Sequence, residues 1–368
     1  MLYPDPVTLF QPDISHRVLT AYAQGFSPND DAFLRAGIDS EQIYQRLCDG
    51  FEAEFATLAK ADQGFDHMVL SGEHMHSRLV NPQQVRRLSQ FLAPHFAEIR
   101  VYIHLRPQVD LARSAASMLA RGGGLVSPER YMAIDERSSY YNYLALVQRW
   151  QAAFGAEQLR IIPYKKQPSM VAELTRVLGL SEADFLPVAR QNTQLDWRVI
   201  AMLNAMRPYR KEIFPGQEIP FDLKSLPCEQ PLNFGLEVAE QIEARLREGN
   251  RALIAMRDEL QPGDLSPDWS QFDCEENLSR VNQGAVFMEP MMRVIAQMQQ
   301  RIQIERFFTR LAESERARLN KREARARHYF LEALELWNGF DEPSRSRAPL
   351  QAAKTRVERL SKVFLDNL

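Results

Sequence analysis

The chain has 368 residues, of which 45% are hydrophobic and 25% charged, and its formal net charge is −3. This length allows a large buried core, and the composition is that of an ordinary globular protein. The slight excess of acidic residues excludes a global attraction to nucleic acid or to an anionic membrane, and no apolar run approaches the length of a membrane span.

Apolar spacing predicts two helices and one short strand before residue 95. Ser40 can cap a helix over 39–60, and Asn81 can cap a second helix whose apolar residues fall on one face. Between these helices, residues 67–70 read as a strand, and Glu73 and His74 follow its end.

A strand over 99–105 is followed closely by a helix over 110–120. The alternation of apolar residues ends at Arg106, and helical spacing begins at Asp110. Arg106 is therefore expected at the carboxyl end of the strand, and Ser114 one to two turns into the helix. A helix N-terminus is a ready anion site, and a guanidinium suits phosphate. We expect the neighbouring Arg113 to face water.

The next segment continues the same alternation of strands and helices. Gly122 opens a loop, a helix over 138–154 follows, and a strand over 158–163 ends just before Tyr164. This order predicts a parallel sheet covered on both faces, with ligands at the carboxyl ends of the strands.

The spacing of Arg106, Asp110 and Ser114 resembles the 3′-phosphate motif of the sulfotransferase superfamily. Val69-Leu-Ser-Gly-Glu73 resembles the strand that precedes this motif in bacterial members, and residues 140–180 resemble the helix–strand–helix that follows it. The resemblance covers residues 1 to about 270. The order of the flanking strands and helices makes it more specific than the Arg–Asp–Ser spacing alone.

The resemblance implies a three-layer α/β fold with a parallel sheet of the P-loop/sulfotransferase type. It also implies transfer of a sulfuryl group from 3′-phosphoadenosine-5′-phosphosulfate (PAPS) to a hydroxyl of a carbohydrate or other acceptor. Arg106 and Ser114 would hold the 3′-phosphate, and Tyr164 would contact the nucleotide. Glu73 would take the proton of the acceptor, as general-base catalysis requires, and His74 and His76 are close substitutes for it.

The sequence contains no Lys-x-Gly-Thr-Thr-like loop for the 5′-phosphosulfate. The resemblance therefore implies an α/β domain truncated at its N-terminus, as if the chain began one strand–loop–helix unit late. The alternative is a non-catalytic sulfotransferase-fold protein that binds a nucleotide or a glycan. We expect this domain over 1–270, with a sheet part over 1–195 and a helical part over 196–270.

Residues 271–368 are predicted to form a helical extension. Apolar residues from Met288 to Ile302 step by three and four, which is typical of a helix packing on a partner helix. A homodimer through these helices, or a protein whose tail mediates assembly, is a further alternative. The basic segment 310–327 could bind a polyanion, but its interleaved Glu residues and helical spacing favour a solvated face with internal ion pairs.

The cysteines and histidines limit which disulfide and metal sites the chain could form. Three scattered cysteines suit neither a disulfide framework nor a metal cluster, and the first residues lack the pattern of a signal peptide. These features indicate the cytoplasm. His74, His76 and His104 lack an evident fourth ligand, so we expect no metal.

Overall fold

The computed structural model describes residues 17–30, 33–34, 36–60, 68–164, 172, 175–176, 178–181, 194–209, 228–283, 285–340, 342–346 and 349–365. For residues 285–294 and 297, only the backbone is described.

Helices dominate the described residues. Short 3-10 helices lie at Arg207–Tyr209, Trp269–Phe272 and Leu278–Arg280. In chain order, the α-helices and strands are α1 (Val18–Gln24), α2 (Glu41–Lys60), α3 (His74–Arg78), α4 (Pro82–Leu92), β1 (Val101–Leu105), α5 (Gln108–Arg121), α6 (Pro128–Met132), α7 (Tyr143–Phe154), β2 (Leu159–Pro163), α8 (Trp197–Met206), α9 (Leu236–Met256), α10 (Ala285–Leu319), α11 (Glu323–Gly339), α12 (Glu342–Arg345) and α13 (Leu350–Phe364).

The two helices predicted early in the chain are confirmed, and their starts have local causes. The Asn81 side chain accepts from the N–H of Gln83 at 2.9 Å, and the Gln84 side chain accepts from the N–H of Asn81 at 2.9 Å. This reciprocal capping box starts α4. At α2, the Ser40 hydroxyl accepts from the N–H of Ile43 at 3.4 Å.

The described part of the chain contains one sheet, in which β1 and β2 pair in parallel from Val101↔Leu159 to Leu105↔Pro163. Residues paired across the two strands point to the same side of the sheet, and successive residues along a strand alternate between its sides. One face therefore carries Leu105, Leu159 and Ile161, which are 1%, 0% and 3% exposed. The other face carries half-buried Tyr102 and His104, and exposed Arg160.

The predicted three-layer parallel sheet is wrong. Only β1 and β2 form a sheet among the described residues, and helices make up most of the rest. A sheet covered on both faces needs apolar side chains on both, whereas polar residues alternate with apolar ones along β1. The strand predicted at 67–70 does not form: Met68 makes a single bridge, Val69 and Leu70 are irregular, and His67 lies outside the described residues.

The chain divides into two compact units, each built from separate stretches of sequence. The first comprises Met1–Ala112, Glu129–Val188 and Leu236–Asp273, and the second comprises Arg113–Pro128, Ala189–Gly235 and Cys274–Leu368. The core of the first unit joins the apolar face of the sheet to side chains from α1, α2, α4, α7 and α9. The predicted boundary at residue 270 between an α/β domain and a helical extension stays a prediction.

In the second unit, α10, α11 and α13 bury a core around Phe307. The Phe307 ring centroid lies 5.5 Å from that of Trp337 and 5.9 Å from that of Phe340. The predicted packing of the apolar seam is not seen at Met298 and Ile302, which are 59% and 38% exposed. The homodimer through this seam stays a prediction. No described helix is long and apolar enough to cross a membrane.

Candidate functional site

Arg106 lies where the sequence places it, directly after β1 and one residue before Pro107, with α5 beginning at Gln108. The hydroxyl of Tyr143 donates to the carbonyl oxygen of Arg106 at 2.7 Å. Tyr143 is 2% exposed and is the first residue of α7. Burial raises the pKa of its hydroxyl well above the usual range, so the hydroxyl keeps its proton and acts as a donor at neutral pH.

The side chain of Arg106 lies against Tyr164, the predicted nucleotide-contacting residue. The guanidinium carbon is 5.1 Å from the centre of the Tyr164 ring, a cation–π distance. The N–H of Tyr164 donates to the carbonyl of Leu105 at 2.7 Å, which continues the parallel pairing beyond β2. Arg106 Nε is buried without a hydrogen-bond partner among the described residues.

Ser114, the predicted second phosphate donor, lies in the second turn of α5 and is half-buried. The prediction that Arg113 faces water is wrong, because Arg113 is only 9% exposed. The helical spacing turns residue 113 inward beside buried Ala112 and Ala116. The role of Ser114 as a phosphate ligand stays a prediction.

Glu73 and His74 begin a chain of polar contacts that runs along α3. His74 Nε2 is 3.5 Å from Glu73 Oε1, and His74 Nδ1 is 3.1 Å from a terminal nitrogen of Arg78. Because a guanidinium can only donate, Arg78 is the donor in this contact and His74 Nδ1 is the acceptor. Arg78 Nε in turn donates to Asp30 Oδ2 at 2.8 Å.

His76, which the sequence offers as a substitute for Glu73 in the role of base, lies on α3 among aromatic rings. Its ring stacks on Tyr140 at 4.4 Å between centroids with an interplanar angle of 12°, and lies 6.2 Å from the ring of Tyr143. Burial lowers the pKa of His76 to about 4, so the ring is neutral at pH 7. Burial and then the charge of Glu73 raise the pKa of Tyr140.

These contacts link the predicted site residues of the first unit through aromatic rings. The helix α3 carries His74 and His76, Tyr140 stacks on His76, and His76 packs against Tyr143, whose hydroxyl holds the backbone of Arg106. The signal in the sequence was the run Tyr140-Tyr-Asn-Tyr143, which helical periodicity alone assigns to a core. Within the described part of the chain, no group of three His, Cys, Asp or Glu side chains could hold a metal.

Comparison with known proteins gives no relative for this arrangement. No family model matches the sequence, no curated protein matches it, and no solved structure matches the fold.

Proposed function

We propose that the protein binds a 3′-phosphorylated adenosine nucleotide, of which PAPS and adenosine 3′,5′-bisphosphate are the examples, at the end of β1. The observation that carries the proposal is the setting of Arg106. Its backbone is held by Tyr143 and its guanidinium by the Tyr164 ring, and no carboxylate pairs with it among the described residues.

A phosphate group matches this setting in charge and geometry. A guanidinium always carries its charge near neutral pH, and its planar fork can donate two parallel hydrogen bonds to phosphate oxygens. The ring of Tyr164 restricts the guanidinium without neutralising it, which lowers the entropy lost on binding. The α5 N-terminus that follows adds a positive dipole end.

Ser114 is the predicted second donor, since its hydroxyl follows Arg106 by eight positions on the same strand–helix segment. A hydroxyl hydrogen bond to phosphate is charge-assisted and stronger than a neutral one. Ser114→Ala is expected to weaken nucleotide binding less than Arg106→Ala, because it removes a donor but no charge.

Titration calorimetry with paired nucleotides tests the proposal. Adenosine 3′,5′-bisphosphate is expected to bind at least about tenfold more tightly than adenosine 5′-monophosphate, which lacks the 3′-phosphate. Equal affinity for the two nucleotides, or no heat with either, would overturn the proposal.

A second candidate function is sulfuryl transfer from PAPS to a hydroxyl of a carbohydrate or other acceptor, and the contact between Glu73 and His74 favours it. In that reaction a base removes the proton of the acceptor hydroxyl, whose oxygen bonds to sulfur. The bond between sulfur and the phosphate oxygen breaks, which releases adenosine 3′,5′-bisphosphate. Glu73 is the better base, because the Nδ1 lone pair of His74 accepts from Arg78 and is not free to take the proton of an acceptor.

Mass spectrometry of carbohydrate acceptors incubated with PAPS tests this second function. A sulfated product that disappears with Glu73→Gln and persists with Glu98→Gln, a matched exposed glutamate, would support it. Nucleotide binding without any sulfated product would leave the binding function standing alone.

A further inference from the structure

The turn between α10 and α11 is an exposed and strongly basic tip. Residues 316–325 contain five basic residues and one acidic residue, Glu323. At its centre, Leu319 is 82% exposed, the most exposed of the large hydrophobic residues described. Four of the cations are exposed and one is half-buried: Arg316, Arg318, Lys321, Arg322 and Arg325.

Ion pairs form on both sides of the tip, as expected for the basic segment, but they do not include the cations of the tip itself. Arg310 pairs with Glu313 at 2.7 Å and with Glu332 at 3.0 Å. Glu315, next to the tip, is paired with Arg356 at 2.6 Å and Arg359 at 3.1 Å. None of the five tip cations pairs with a carboxylate in the described part of the chain. The tip therefore keeps a local positive charge on a chain whose net charge is negative.

The backbone of the tip is unusual in having Lys321 in the left-handed region, with φ of 55°. The N–H of Lys321 donates to the carbonyl of Arg318 at 2.9 Å, and the N–H of Arg322 to that of Ala317 at 2.9 Å. This is the Schellman ending of a helix, in which glycine is the favoured residue at position 321. A lysine here adds a cation at the expense of backbone strain, and such strain is a pointer to function.

We propose that this tip, comprising Arg316 to Arg325, docks on an anionic lipid bilayer. The cations contact headgroup phosphates, and Leu319 inserts into the boundary between headgroups and acyl chains. The charge sign fits the negative surface of such a bilayer. An exposed aliphatic side chain among cations is the arrangement that interfacial binding uses.

The composition of the tip favours a lipid surface over a nucleic acid. Single-stranded nucleic acids are bound along grooves that combine cations with stacking aromatic rings. The ten residues of the tip contain no aromatic residue, and their most exposed apolar group is a leucine, which cannot stack. The cations surround one turn, and so form a compact contact rather than a groove.

Co-sedimentation with vesicles tests the proposal on the full chain. Vesicles of phosphatidylcholine and phosphatidylserine at about 2:1, in about 0.1 M salt, are expected to bind the chain, and phosphatidylcholine alone is not. Arg322→Glu is expected to weaken binding by well over about fivefold, since each cation near the surface contributes about that factor. Arg301→Glu is the matched control, since exposed Arg301 lies on α10 about 27 Å before Leu319 and so away from the tip.

Lys321→Gly separates a binding role from a structural one. Glycine relieves the positive φ, so thermal stability is expected to rise, while vesicle binding is expected to fall by about fivefold because a cation is lost. Leu319→Ser is expected to weaken binding to vesicles, and the exposed Met298→Ser on the same helix is not. Equal binding of wild type, Arg322→Glu and Leu319→Ser would overturn the proposal. So would tip-dependent binding of a single-stranded oligonucleotide with none to vesicles.

Discussion

The hydroxyl of Tyr143 donates a 2.7 Å hydrogen bond to the backbone carbonyl of Arg106, and so joins the first residue of α7 to the residue that follows β1. Tyr143 is buried at this contact. The carbonyl is fixed before any ligand arrives, and so is the direction in which the Arg106 side chain leaves the backbone.

Tyr143→Phe removes this hydrogen bond and leaves the ring in place. We expect the free energy of unfolding to fall by about 1–3 kcal/mol, because the Arg106 carbonyl loses a donor in a buried setting. Urea unfolding measures the loss. Tyr140→Phe, which deletes a hydroxyl three positions earlier in the same Tyr-rich run, is the control and is expected to change stability less. Equal losses in the two variants would contradict the account.

His76 makes stability depend on pH. Its pKa is about 4 in the folded protein and 6.5 without burial, so the unfolded chain takes up a proton between these values and the folded chain does not. Stability is therefore lost as pH falls from 6.5 toward 4, by up to about 3 kcal/mol. The pKa values of Asp196, Glu259 and Glu315 are lowered in the folded protein. These carboxylates therefore also reduce stability as pH falls, at the lower end of this range and below it.

Urea unfolding at pH 7 and pH 5 measures this effect. His76→Phe keeps the ring stacked on Tyr140 and is expected to flatten the pH dependence. His328→Phe, at a histidine whose side chain is 67% exposed, is expected to leave it unchanged. A wild-type protein that is equally stable at both pH values would show that His76 is not buried as described.

Phe307 holds the core of the second unit together. It is 0% exposed and its ring packs against those of Trp337 and Phe340. Phe307→Ala is expected to lower the free energy of unfolding by about 3–5 kcal/mol, since it removes apolar contacts and leaves a cavity. The exposed Met298→Ala is expected to cost less than about 0.5 kcal/mol. Circular dichroism during urea unfolding distinguishes the two.

Local patterns in the sequence predicted local structure well. The cap at Asn81, the strand before Arg106 and the helix carrying Ser114 all appear, because each depends on neighbouring residues. The number of strands could not be read in this way. Residues 67–70 have the composition of a strand, but a strand forms only when a neighbour supplies its hydrogen bonds.

The polar residues of β1 carried a signal about the sheet. The alternation of Tyr102 and His104 with apolar residues indicates one covered face, whereas the alternation of strands and helices along the chain favoured two. The aromatic contacts of His76 were also beyond the sequence, since Tyr140 is 64 positions away and only the fold brings the two rings together.

The charge of Arg106 is the central requirement of the proposed nucleotide site. Titration calorimetry of adenosine 3′,5′-bisphosphate into wild type, Arg106→Ala and Arg100→Ala tests it most directly. Arg100 is a matched exposed arginine that pairs with Glu98 at 2.7 Å, just before β1. Arg106→Ala is expected to lose at least about tenfold in affinity, and Arg100→Ala to bind like wild type. Equal affinity of all three proteins would contradict the account.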